Sequence, residues 1–155
     1  MTPKNGTIHK FVNMVDISSK SMIFRMTEAE GTICLSSETM DALKKGMVKK
    51  GNVLATAEIA GILAAKKTHE LLPLCHQIPI TSVNLFFHLI DDGVKVRCIV
   101  NATYRTGVEM EALMGVSTAL LTIWDMVKYI EKDGKGQYQN TRIEGIKIIK
   151  KVKRE

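Results

Sequence analysis

Cysteine is scarce: Cys34, Cys75 and Cys98 are an odd set in 155 residues, with no C-x-x-C spacing. That argues against a disulfide framework and for a reducing compartment, so the chain is expected to be cytoplasmic. Aromatics are also few, with one Trp, three Tyr and four Phe and no RNP-like string. Sheets that grip RNA interleave stacking rings with cations, so this absence weighs against nucleic acid as a partner. No run approaches the ~18 consecutive apolar residues of a membrane span, and the opening MTPKNGTIHK has no apolar signal region. Neither membrane insertion nor export is expected. No repeat, low-complexity tract or Pro/Gly/Ser linker divides the chain, which predicts one domain over residues 1–155. No G-x-G-x-x-G or Walker loop occurs, and His9, His69, His76 and His88 lack ligand spacing, so no metal centre is expected.

What is present fits a soluble globular domain: 45% apolar and 25% charged side chains. A chain of this length buries roughly 70% of its unfolded surface, enough for one core without metal or disulfide staples. The net charge is +6, but Thr141 to Glu155 alone holds six cations against Glu144 and Glu155. The basic character is therefore local to the end of the chain and is not the footprint of a nucleic-acid binder.

Alternation of β-branched and large apolar residues predicts strands over Phe11 to Ile17 and Ser21 to Leu35, the second broken by a Glu30-Gly31 turn. Ser36 or Ser37 caps a short helix with Met40, Leu43 and Met47 at helical spacing. Asn52 caps a longer helix, NVLATAEIAGILAAKK, which Pro73 forbids beyond Leu72; its small residues imply close packing. Val83 to Leu89 and Val94 to Val100 alternate on either side of Asp91-Asp92-Gly93, a hairpin. Gly107 to about Lys132 reads as one helix of about seven turns, with a stripe through Leu113, Val116, Leu120, Ile123 and Val127. Arg142 to Val152 is a last strand. Interspersed strands and helices with hairpins predict an α+β fold, an antiparallel sheet with helices packed on one face.

Several groups stand out, each with a bland alternative. Glu109 and Glu111 open the long helix, where acids also complement its dipole. Asp125 and Lys128 share a face at i and i+3, as a surface ion pair would. Lys50, in KKGN before a helix N-terminus, is suited to phosphate or is a solvated turn lysine. Lys66 ends its helix, a place where cations satisfy the dipole in any protein. Cys75 and His76 sit in the Pro-bounded LLPLCHQIP; a nucleophilic pair needs converging side chains, and adjacent residues usually point apart, leaving a buried thiol beside an imidazole. Trp124 reads as packing.

The strings MVDIS (14–18), KKGNVLATAEIAGILAAKKT (49–68), LLPLCHQIPIT (71–81) and TGVEMEALMGVSTALLTIWDMVK (106–128) together resemble the cyclic pyranopterin monophosphate synthase family of molybdenum cofactor biosynthesis. The resemblance implies a ferredoxin-like sandwich and a hexamer, a trimer of dimers, with active sites at subunit interfaces. It also implies a cytoplasmic lyase that converts (8S)-3',8-cyclo-7,8-dihydroguanosine 5'-triphosphate, a small-molecule GTP-derived substrate, into cyclic pyranopterin monophosphate and releases pyrophosphate without a redox cofactor. The alternative is a non-catalytic nucleotide- or RNA-binding α+β domain. Carried across by position, the resemblance makes Asp125, Lys128 and Lys50 catalytic, and Leu74, Cys75, His76, Glu109, Met110, Glu111, Lys66 and Arg25 substrate-binding. The chain ends IEGIKIIKKVKRE, without the glycine-rich tail many members carry, so Lys151 stays outside the expected set.

Two physical expectations follow. Neighbouring cations should hold a buried Asp125 ionised and depress the Lys128 pKa. Glu111 and Asp125, fourteen residues apart, lie about 21 Å from each other along a continuous helix, so serving one site requires either a late helix start or a second subunit.

Overall fold

The computed structural model describes residues 11–155; the expectations resting on MTPKNGTIHK, His9 included, lie outside the described residues. The elements run β1 (Ile23–Cys34), α1 (Ser37–Lys44), α2 (Val53–Lys66), α3 (Thr68–Leu71), β2 (Ile80–Ile90), β3 (Gly93–Tyr104), α4 (Glu109–Glu131) and β4 (Arg142–Arg154). The strands form one antiparallel sheet in the order β2-β3-β1-β4. This is the α+β, ferredoxin-like arrangement, with α2 and α4 packed on one face.

Period-two burial defines that face. Ala29 and Ile33 of β1 and Val94, Val96, Cys98, Val100 and Ala102 of β3 are all buried beneath Ala112, Val116, Ala119, Leu120, Ile123 and Val127 of α4. The expected α4 stripe is thus present, shifted so that Ala112 is buried and Leu113 only partly so. The small residues of α2 do bring helices together: a Cβ on Gly61 would stand 2.9 Å from the Gly115 carbonyl oxygen of α4.

Two strand expectations are corrected. Residues 11–17 form no strand; Val15 and Ile17 border a cavity, while Phe11, Val12 and Met14 stay exposed. Of the apolar residues in this stretch only Ile17 is buried, so the pattern recorded neither pairing in the sheet nor burial of the whole segment.

Nor does β1 turn at Glu30-Gly31: it pairs with β3 without interruption from Ile23 to Cys34. Gly31 answers two other constraints. Its Cβ would meet Leu120 Cδ1 at 2.9 Å and Val116 Cγ1 and Ile146 Cγ1 at 3.0 Å. Opposite it the β4 register shifts between Glu30 and Thr32, where Gly145 takes a φ of +65°, a bulge in the neighbouring strand.

The far end of α4 is tied down by Glu131. Its Oε1 accepts from the Ser36 backbone N–H at 3.0 Å and the Ser36 hydroxyl at 2.8 Å, and its Oε2 accepts from the Thr141 hydroxyl. Ser36 Oγ in turn accepts from the Thr39 N–H, the N-cap of α1. One carboxylate thereby joins the starts of α1 and β4 to the last turn of α4.

Candidate active site

Two clusters of the expected residues form, one at each end of α4. At its C-terminal end, Asp125 Oδ1 and Lys128 Nζ are 2.8 Å apart, as are Asp125 Oδ2 and Lys50 Nζ. Lys50 Nζ also donates to the Asp125 carbonyl oxygen at 2.8 Å. Local sequence accounts for this. One turn of helix separates Asp125 from Lys128. Lys50 arrives on the loop before α2, where Asn52 Oδ1 caps the helix by accepting from the Ala55 N–H at 3.0 Å and Gly51 takes a φ of +100°. The neighbouring Lys49 N–H donates to the Tyr129 hydroxyl at 2.8 Å, pinning the loop to α4. Trp124 packs edge-on against Tyr138, ring centroids 5.4 Å apart, in keeping with its packing assignment.

The electrostatics differ in part from expectation. Asp125 is drawn down to about 2, first by the Lys128 hydrogen bond and then by that of Lys50. It is ionised, although its side chain is half exposed, not buried. Lys128 moves opposite to the expected direction: its hydrogen bond to Asp125 raises it. An ammonium whose nearest neighbour is a carboxylate is stabilised in its charged form, and that contact outweighs the opposing effect of burial. Lys128 therefore presents fixed positive charge to phosphate at neutral pH, with the Lys50 amino group bonded to the same carboxylate.

The second cluster surrounds the first turn of α4. A cavity of about 450 Å³ is lined there by Leu74, Cys75, His76, Glu109, Met110 and Glu111, together with Val15, Ile17 and Lys20 from the segment before β1. Glu111 is only 4% exposed, and burial, with a smaller push from Glu109, raises its carboxyl to about 7. It is the group best matched to taking and giving a proton near neutrality. Cys75 is no activated nucleophile: burial first, and then Glu111, push its thiol up.

Burial is the largest single influence on Glu109 and raises it, but the Lys151 hydrogen bond, its own backbone N–H and the charges of Lys151 and Arg25 together leave it below the ordinary carboxylate range. Its carboxylate lies over Gly107, where a Cβ would collide with it. Lys151, left out of the expected set, thus makes an ion pair in this cluster. The signal was register: Thr27 of β1 pairs with Lys151 of β4, which turns that lysine toward the helix-covered face. Arg25, on the same face of β1, donates to the carbonyl oxygens of Tyr104 and Arg105 at 3.4 Å each. Lys20 was missed because the local sequence gives an isolated lysine no distinguishing pattern.

Lys66 joins neither cluster. It lines an adjoining cavity of about 330 Å³ with Ile62 and Thr81, sharing Ile78 with the Glu111 cavity. Glu111 and Asp125 lie on one uninterrupted helix, α4, so about 21 Å separates the two clusters along its axis. The late helix start that would have shortened this gap does not occur.

Comparison with known proteins adds the following. A family model described as "MoaC family" matches residues 14–153. The chain is 58% identical over 146 residues to a "Probable cyclic pyranopterin monophosphate synthase" of Thermococcus onnurineus, covering 94% of each chain. It is 58% identical over 144 residues to a protein of the same name from Pyrococcus horikoshii, covering 93% of this chain and 91% of that one. A third relative, 52% identical over 149 residues with 96% and 94% covered, is named "Probable cyclic pyranopterin monophosphate synthase accessory protein" in Methanothermobacter thermautotrophicus.

Proposed function

Because the chain belongs to the MoaC family, we propose that it is a cyclic pyranopterin monophosphate synthase. It acts in molybdenum cofactor biosynthesis, converting the cyclised dihydro-GTP into cyclic pyranopterin monophosphate and pyrophosphate. The observation that supports this reading most directly is the Asp125 carboxylate held between Lys50 and Lys128, each at 2.8 Å.

In the reaction a substrate hydroxyl attacks the α-phosphorus, its proton leaves to a base, the new P–O bond closes the cyclic phosphate, and pyrophosphate departs. A triphosphate carries about four negative charges, so Lys50 and Lys128 face a plain electrostatic task. With its carboxyl at about 2, Asp125 fixes the spacing of the two ammonium groups until phosphate oxygens draw them away. Opening the purine ring needs proton transfer near neutral pH, and Glu111 is suited to it. Leu74, Cys75, His76 and Met110 form the wall for the base. Glu109, Arg25 and Lys66 complete the binding set, with Arg25 suited to bidentate phosphate contact.

The working enzyme is a cytoplasmic, single-domain lyase over residues 1–155, assembled as a hexamer of three dimers. The 21 Å between clusters within one chain supports sites shared between subunits. Single-turnover incubation with the cyclised dihydro-GTP, following pyrophosphate and pterin, tests the proposal. Wild type should give product and Asp125→Ala essentially none. A well-folded wild-type oligomer that yields no product would overturn it.

A further inference from the structure

We infer that Tyr129 is a positioning residue for Lys50: its hydroxyl holds the backbone of the loop before α2 and so keeps the Lys50 side chain aimed at phosphate once Asp125 gives it up. The inference rests on the phosphate-binding reading of Lys50 above and names what sets that residue's aim.

Residues 45–52 need a hold from outside the loop. Gly46 at a φ of +65° and Gly51 at +100° put a left-handed glycine near either end, where the chain has its widest freedom. The Lys45 N–H donates to the Asp41 carbonyl at 3.0 Å, the Met47 N–H to the Ala42 carbonyl at 2.9 Å and the Gly51 N–H to the Val48 carbonyl at 3.0 Å. Those bonds tie the segment to α1 and to itself, not to the helix that carries Asp125. Val48 seats the middle of the loop in the core, yet Lys49 and Lys50 directly after it are exposed.

One turn of α4 supplies the hold. Asp125 and Tyr129 stand at i and i+4, on one side of the helix, and they grip consecutive residues of the loop. The Lys50 amino group donates to the Asp125 carboxylate and to its carbonyl oxygen at 2.8 Å each. The Lys49 N–H donates to the Tyr129 hydroxyl, also at 2.8 Å. Lys49 Nζ folds back over the Tyr129 ring, 5.3 Å from its centroid, and closes the clasp from above.

The two grips part ways during the reaction. Phosphate oxygens take over the Lys50 bonds that Asp125 makes, whereas the Tyr129 bond is to backbone and survives that exchange. Without it Lys50 rides on a loop free to pivot at two glycines. Its long flexible stem cannot fix an amino group on its own, and misplacement by about 1 Å is enough to cost about 100-fold in rate. For stability the bond is dispensable, because an exposed N–H that loses a protein partner takes a water instead.

A double-mutant cycle read by isothermal titration with inorganic pyrophosphate, at one fixed ionic strength, tests this. Tyr129→Phe keeps the ring and its contact with Lys49 and removes only the acceptor. It should weaken pyrophosphate binding about 3- to 10-fold. Lys50→Ala should weaken it at least about 10-fold, and the double variant should bind within about two-fold of Lys50→Ala alone. Any loss of folded protein enters both arms of the cycle equally and cancels. Tyr129→Phe that binds like wild type, or that weakens binding by the same factor with and without Lys50, overturns the positioning role and leaves Lys50 on phosphate. Wild-type protein that takes up no pyrophosphate, or Lys50→Ala that binds it as well as wild type, overturns the phosphate reading of Lys50 and this inference with it.

Discussion

Replacing Gly31 by alanine should destabilise the protein by about 1–2 kcal/mol, and replacing it by valine should cost clearly more. The new methyl would sit 2.9–3.0 Å from Leu120, Val116 and Ile146, where carbon atoms normally rest about 3.5–4.0 Å apart. Ile146 is 40% exposed and can retreat, but Leu120 and Val116 are fully buried, so α4 itself has to lift. Forcing a methylene into a packed core costs about 1–3 kcal/mol, offset by the 0.4–1 kcal/mol a glycine-to-alanine change returns through the unfolded chain. Gly31 is not among the glycines with positive φ, so that offset applies in full. For a chain of this length the net cost lowers the melting temperature by about 2–8 °C. Thermal unfolding of the three proteins at one fixed protein concentration reads this out, since assembly makes the midpoint concentration-dependent. An alanine variant as stable as wild type or more so, or valine no worse than alanine, would refute close packing as the reason for this glycine.

Asp125→Asn should cut turnover at least about 100-fold while the fold survives, because Lys50 and Lys128 lose their shared anchor; steady-state kinetics with circular dichroism checks both halves. The Asp125 carboxyl stands at about 2, so no ionisation of this residue should shape activity between about pH 4 and 9. Glu111 titrates upward, to about 7. Its neutral form belongs to the folded state, so the stability it contributes is complete below its ordinary range near 4.5 and is lost as pH rises through neutrality. Glu111→Gln should therefore match wild type in urea unfolding at acid pH and gain on it by pH 8.5, while abolishing the inflection of activity near or below pH 7. Glu131→Ala should cost about 2 kcal/mol in urea unfolding, leaving the Ser36 and Thr141 donors unpaired. Burial raises the Glu131 carboxyl, but hydrogen bonds from Thr141, Thr39 and Ser36 lower it overall. Its contribution is thus present above the ordinary carboxylate value and is lost as pH falls through the lowered one, so the wild-type advantage should shrink in acid.

Patterns confined to a few turns or one hairpin were legible in the residues. The cap at Asn52, the Asp92-Gly93 hairpin and the 3.6-residue stripe of α4 each arise from neighbours in sequence, so periodicity and capping chemistry locate them. The i, i+3 relation of Asp125 and Lys128 was legible for the same reason. Lys50 joined them only through the family resemblance, since its partner lies seventy-five residues away. Apolar residues at 11–17 suggested a strand because side-chain pattern alone does not say whether a neighbouring strand is there to pair with the segment. Gly31 suggested a turn because its true neighbours belong to α4 and β4.

The sequence by itself determined the α+β class, the boundaries of the long helices, the family likeness and the residue types available for chemistry, since all of these depend on local sterics and on strings read in order. Tertiary structure decided what those residues are worth. It set the charged form of Lys128 against expectation by seating it on Asp125, pushed the Glu111 carboxyl to neutrality by burying it, and recruited Lys151 through the register of β4. It also separated Lys66 from both clusters and left those clusters at opposite ends of one continuous helix. Charge state and reach depend on distances between groups far apart in the chain, and only packing fixes those.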